Sequence, residues 1–138
     1  MGKALARGSK RALAKDCLQD KITSKHLWDL IGLRLRRELR NMVSDTTHSI
    51  LRSQSAEAMK SFSWDAVINE LLQHAPTLLF ILRACTQTRV ERSNVKAVIG
   101  TCAVILLKHR YDRMSMFQKI VSIILYAGHC SKQVRNII

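Results

Sequence analysis

Apolar residues recur every three or four positions along most of this chain. Leu27, Leu30, Ile31, Leu35, Leu39, Met42 and Val43 form one such stripe, the mark of a helix with one buried face. Thr23 or Ser24 supplies a hydroxyl at its start. The pattern extends to about Ser53, weakened by Thr46-Thr47-His48-Ser49, while Arg34, Arg36, Arg37 and Arg40 lie mostly off the stripe. Ser61-Phe62-Ser63 then interrupts the chain. Ser63 is a good cap for a helix over 64–74, with Asp65 in the first turn and Phe62 placed to staple onto Val67. Pro76 suits the first position of a helix running to about residue 88. Ser93 or Asn94 caps a helix over 95–109, and Ser115 caps one over 116–127. Gly128 stands where a left-handed C-cap is wanted. Ser131 caps a last segment over 132–138.

No stretch alternates as a strand does, and no repeat of fixed period occurs. The spacing predicts an all-α fold: one bundle-like domain over 21–138 with five or six helices. Residues 1–20 are expected as a basic segment, without order or with an isolated amphipathic turn or two. The helix phases place Leu27, Ile31, Leu35, Trp64, Val67, Leu71, Leu72, Leu79, Ile81 or Leu82, Val98, Cys102, Ile105, Ile120, Ile123 and Ile124 in the core.

The composition fits that picture. A chain of 138 residues is one domain in length, and 47 % hydrophobic residues supply a core. One proline and five glycines leave few helix breakers. Aromatic residues are only 5 %, so packing rests on Leu, Ile, Val and Ala.

Charge changes the functional picture. The chain carries 23 Lys plus Arg against 10 Asp plus Glu, a net of +13. Residues 1–60 hold 13 basic and 6 acidic side chains, and residues 61–138 hold 10 and 4. The excess is therefore spread along the chain. Such a field attracts polyanions: nucleic acid, anionic lipid or an acidic protein.

Cys17, Cys85, Cys102 and Cys130 show no CxxC spacing. They read as reduced thiols of an intracellular protein, bound to no metal. A nuclear location would accompany a DNA-binding role. The N-terminus has no apolar run of a secretory signal; its basic, Ala-rich character has a slight likeness to a transit peptide. Ala6 breaks the myristoylation pattern. The longest apolar stretch, 97–107, is too short for a membrane span, so no integral insertion is expected.

Chemistry-bearing motifs are absent. His26, His48, His74, His109 and His129 form no familiar ligand spacing, and Cys102, His109 and Cys130 are a weak zinc set. There is no GxSxG, P-loop, GxGxxG or HExxH. Only Asp65, Glu70, Glu91 and Asp112 follow residue 60, too few for a two-metal site. No catalytic residue and no cofactor is expected. The Arg-rich stretch 27–43 has the pattern of an interfacial helix, but its stripe has ordinary core width.

The sharpest local signal is C-terminal. A helix ending at Gly128, a three-residue turn and a capped segment resemble a helix-turn-helix, with Val134 and Ile137 packing back on Ile123, Ile124 and Ala127. Lys132, Gln133, Arg135 and Asn136 would face a nucleic acid, suited to phosphates and base edges, with Lys119, Arg110 and Arg113 as further nucleic-acid-binding residues. Ile124 and His129 depart from the motif, which prefers a small and an apolar residue there.

A wider resemblance rests on Phe62-Ser63-Trp64-Asp65, Glu70-Leu71, Ala75-Pro76-Thr77-Leu78-Leu79, Leu106-Leu107-Lys108-His109-Arg110, Met114-Ser115-Met116-Phe117-Gln118-Lys119, Tyr126-Ala127-Gly128-His129 and Ser131-Lys132-Gln133-Val134. Over roughly 25–138 these resemble the N-terminal region of large, uncharacterised animal proteins of transposon-derived appearance. Their motifs are packing and capping residues and bring no catalytic assignment. The resemblance implies a longer parent chain in which the last helix continues. The expectation is a non-catalytic nucleic-acid-binding or assembly module of a transposon-like protein. The alternative is a helical interaction domain with an acidic protein partner.

Overall fold

The computed structural model describes residues 2–53, 55–88 and 93–128. These are mainly α-helical, without a strand: α1 (Gly2–Gln19), α2 (Lys21–Val43), a 3-10 turn (Ile50–Arg52), α3 (Ala56–Lys60), α4 (Trp64–His74), α5 (Pro76–Thr86), α6 (Val95–Arg110) and α7 (Met116–Ala127). The chain divides into two compact units, residues 1–37 and 38–138.

In the first unit, residues 2–19 form a helix where the sequence pattern had promised little order. Lys10, Arg11, Leu13 and Lys15 are exposed on it, and Cys17 is half-buried. Asp20 separates α1 from α2 without breaking the hydrogen-bond ladder. Asp20 N donates to Asp16 O at 3.0 Å, and Ser24 N donates to Asp20 O at 2.8 Å. The Asp20 carboxylate also accepts from Thr23 N at 2.8 Å, so the cap of α2 is Asp20 rather than Thr23 or Ser24. That bond holds the Asp20 carboxyl below its usual range. Leu27, Ile31 and Leu35 are half-buried, and none of the described side chains up to residue 37 is fully buried.

The second unit holds the core. α4, α5 and α6 pack against one another, and the 3-10 turn lies against α4 and α7. Val67, Ile68 and Leu71 of α4 meet Leu78 and Leu79 of α5 and Ile99, Ala103, Val104 and Leu107 of α6 in the buried set, with Met42, Leu51, Ala75, Met114 and Met116. Glycine sets the closest approach. A Cβ built at Gly100 would lie 2.6 Å from Trp64 Cζ3, so only glycine lets the indole rest on α6. Trp64 also meets Phe62 and Phe117, with centroids 5.0 and 5.3 Å apart.

Two helix starts illustrate local and distant capping. Ser63 Oγ accepts from Ala66 N at 3.2 Å, the local cap the sequence implied. Pro76 opens α5, but Ala75 before it has no side chain to offer. Glu38 takes over that role: its carboxylate accepts from Thr77 N at 3.0 Å and Thr77 Oγ1 at 2.6 Å. A carboxylate at a helix N-terminus satisfies free donors and complements the helix dipole.

Several expectations are corrected. α2 stops at Val43, about ten residues early, because side chains take its last carbonyls: Thr47 Oγ1 donates to Asn41 O at 2.8 Å, and the Arg52 guanidinium donates to Val43 O and Ser44 O. α3 appears between the expected end near Ser53 and the interruption at 61–63, where no element was expected, capped by Ser55 Oγ accepting from Ala58 N. Asn94 and Ser115 stand at the starts of α6 and α7 without a side-chain cap bond. Gly128 has φ −79°, so the end of α7 stays right-handed, its N–H bonded to Ile124 O at 2.9 Å. Leu72, Val98, Cys102, Ile105, Ile123 and Ile124 are exposed rather than buried. On α6 the phase slipped because the helix is apolar on both sides: Ile99, Ala103, Val104 and Leu107 face in, while Val98, Cys102, Ile105 and Leu106 face out. Trp64, Ile81, Leu82 and Ile120 are half-buried.

Candidate nucleic-acid interface

The recognition residues expected at the C-terminus, Lys132, Gln133, Arg135 and Asn136, lie outside the described residues, as do the turn and second helix of the helix-turn-helix reading. The flanking positions are described. Arg110 ends α6 and is exposed; Arg113 is exposed in the connection to α7; Lys119 on α7 is half-buried. In the same stretch Lys108 Nζ pairs with Asp112 at 2.5 Å, which holds the Asp112 carboxyl below its usual range.

Two further cations of the second unit, Arg52 and Lys96, are engaged. Arg52 pairs with Asp45 at 3.0 Å, binds the carbonyls that end α2, and lies 5.4 Å over the Tyr111 ring. Lys96 Nζ meets Asp65 at 2.5 Å. Arg52 fixes a loop; its guanidinium is committed to structure rather than presented to a ligand.

A cleft of about 630 Å³ borders Arg52 and includes His48, Ser49, Ser61, Phe62 and Ser63. Several of its hydroxyls are committed. Ser49 Oγ accepts from Leu51 N, Ser61 Oγ donates to Ala58 O, and Ser63 Oγ caps α4. Nearby, burial pushes the Glu70 carboxyl up, opposed by hydrogen bonds from Ser49 and Ile50 N–H and by His74. Here a half-buried acid supports the 3-10 turn through Ile50 N–H and the Ser49 hydroxyl. No group of three metal-ligating side chains converges among the described residues, and Cys17, Cys85 and Cys102 are free thiols.

The first unit is different. Its sequence holds ten basic residues (Lys3, Arg7, Lys10, Arg11, Lys15, Lys21, Lys25, Arg34, Arg36 and Arg37) against Asp16, Asp20 and Asp29, a net of 10 − 3 = +7 in 37 positions. Lys10, Arg11, Lys15, Lys21, Lys25, Arg36 and Arg37 are exposed. None of these seven is held in an ion pair among the described residues. On α2, Lys21, Lys25, Trp28, Gly32 and Arg36 fall at i, i+4, i+7, i+11 and i+15, which is one face of a helix. Trp28 stands in the middle of that face, 60 % exposed.

Apolar spacing does not reveal this row, because its members are cations, a tryptophan and a glycine. The same arithmetic applied to Lys, Arg and Trp would have found it. Among the described residues, no helix is long and apolar enough to cross a membrane. No protein-family model matches the chain, and no curated protein and no solved structure matches it either.

Proposed function

We propose that this chain is a non-catalytic nucleic-acid-binding module whose basic first unit engages the phosphate backbone, in keeping with an origin in a transposon-like protein. One observation carries the reading. Lys10, Arg11, Lys15, Lys21, Lys25, Arg36 and Arg37 crowd seven exposed cations, none in an ion pair among the described residues, into the 37 positions of the first unit, whereas Arg52, Lys96 and Lys108 of the longer second unit are tied to carboxylates. Free, solvated cations attract phosphates without first breaking an internal pair. The second unit then serves as the folded body. Binding to oligonucleotides across a range of salt tests this: affinity should fall steeply and log-linearly with salt. Absence of binding at low salt would refute it.

A second reading, docking to an acidic protein, is favoured by α6. Its outward stripe of Val98, Cys102, Ile105 and Leu106 is spaced i, i+4, i+7 and i+8 and is uncharged. An amphipathic acidic helix would cover such a stripe, and the surplus of positive charge would steer it. Charge reversal at the first unit that leaves nucleic-acid affinity unchanged would move weight to this reading.

A further inference from the structure

We infer that the α2 face of Lys21, Lys25, Trp28, Gly32 and Arg36 takes single-stranded rather than duplex nucleic acid, with one unpaired base stacked on Trp28. This rests on the nucleic-acid reading above and names its substrate class. Three observations carry it. First, the Trp28 ring is exposed and makes no ring or cation–π contact among the described residues, so its π face is open. Second, Gly32 lies one turn further along the same face. Helical side chains lean toward the N-terminus, so any larger residue at 32 would reach back over the indole. At Gly32 a Cβ would meet only Arg36 Nη1, at 3.6 Å, so the Arg36 guanidinium reaches back over the glycine toward the ring. Third, Lys21 and Lys25 precede the ring and Arg36 follows it, all exposed. Lys25 and Arg36 are eleven residues apart, about 16 Å along the axis, a span of a few nucleotides.

The chemistry selects the strand state. In a duplex the base faces are covered by their neighbours, and an exposed indole finds only edges and phosphates. An unpaired base offers its π face, and stacking tolerates any base. A bilayer surface fits less well. A helix lying in it buries a continuous apolar face. On α2 the exposed Ile22, Leu30 and Leu33 share their side with His26, Asp29 and Arg37, and Trp28 itself is flanked by cations.

The test is titration of the full chain, read by tryptophan emission, with a short oligothymidylate, a duplex of equal length, and vesicles of phosphatidylserine and phosphatidylcholine in equal parts. Trp28→Phe identifies the share of the signal that belongs to Trp28. The oligothymidylate should quench that share. Trp28→Ala should weaken oligothymidylate binding about 10- to 100-fold, with Trp28→Phe recovering most of it and duplex affinity unchanged. Gly32→Leu should weaken oligothymidylate binding while raising helix stability, a pair of opposite changes that misfolding would not give. Equal losses on single strand and duplex, or no loss on either, overturn the proposal. So does a blue-shifted Trp28 emission on vesicles with no quenching by the oligonucleotide. The triple change Lys21→Gln, Lys25→Gln and Arg36→Gln separates the two claims. If it abolishes binding while Trp28→Ala does not, only the strand-state inference fails. If it too leaves binding intact, the wider reading fails with it.

Discussion

The two units of this chain spend their side chains in opposite ways. In residues 38–138, apolar groups are buried and several charged groups are paired or used as caps: Glu38 on α5, Arg52 on the end of α2, Glu70 on the 3-10 turn. In residues 1–37 no described side chain is fully buried, leucines stand half-buried or exposed, and seven cations face solvent unpaired. Stability and attraction for a polyanion are therefore carried by different residues. Core changes in the second unit should alter folding; removing the cations of the α2 face should alter binding alone.

The largest expected effect is in the core. Leu107→Ala removes a fully buried side chain from α6 and should cost about 2–5 kcal/mol in urea denaturation. A loss below 1 kcal/mol would mean that α6 is not the packing centre. Gly100→Ala should cost about 1–3 kcal/mol, because the added methyl meets the Trp64 ring and the helix must shift. Changed emission from Trp64 would accompany it. Glu38→Ala removes the distant cap of α5 and should cost about 0.5–2 kcal/mol.

Glu70 gives a pH signature in the same unit. Its carboxyl is raised above the ordinary 4.5 by burial, with Ser49, Ile50 N–H and His74 opposing. Below pH 4.5 the group is protonated in both states. Above it the unfolded chain ionises first, so the folded state holds the extra proton. Stability then falls as pH rises through the folded value. Glu70→Gln should flatten that part of the profile of denaturation midpoint against pH. An unchanged profile would remove Glu70 as its source.

The smallest effect on stability belongs to the first unit. Lys21→Gln, Lys25→Gln and Arg36→Gln together should move the denaturation midpoint by little, each within about 0.5 kcal/mol, as solvated surface changes do. A large loss of stability would break the division drawn between the units.

Much of the fold was legible from local chemistry. Ser63, Pro76 and Gly128 mark real helix boundaries, and Val67, Leu71 and Leu79 fall in the core where their spacing put them. What escaped was long-range. The end of α2 depends on Arg52 and Thr47 reaching its carbonyls, and the start of α5 depends on Glu38; no local pattern announces either. The inward face of α6 was misplaced by one residue because Val98, Cys102, Ile105 and Leu106 are as apolar as their buried neighbours. Packing against α4 and α5, through Gly100, decides which side turns in. The candidate site was legible only in part. Net charge pointed to a polyanion and the strongest local motif lay at the C-terminal corner, whereas the Lys21–Arg36 row carries no motif beyond its helical spacing.

One comparison tests the central claim most directly: the salt dependence of oligonucleotide binding for two charge-matched triple variants. One carries Lys21→Gln, Lys25→Gln and Arg36→Gln; the other carries Arg83→Gln, Arg110→Gln and Arg113→Gln, exposed positions of the second unit. Loss of three phosphate contacts should flatten the slope of log affinity against log salt by about 2 for a single strand. The account predicts that flattening for the α2 variant and a change well under half of it for the other. Equal slopes for the two variants would show diffuse attraction to the whole charge, and a larger change at Arg110 and Arg113 would place the interface at the C-terminal corner instead.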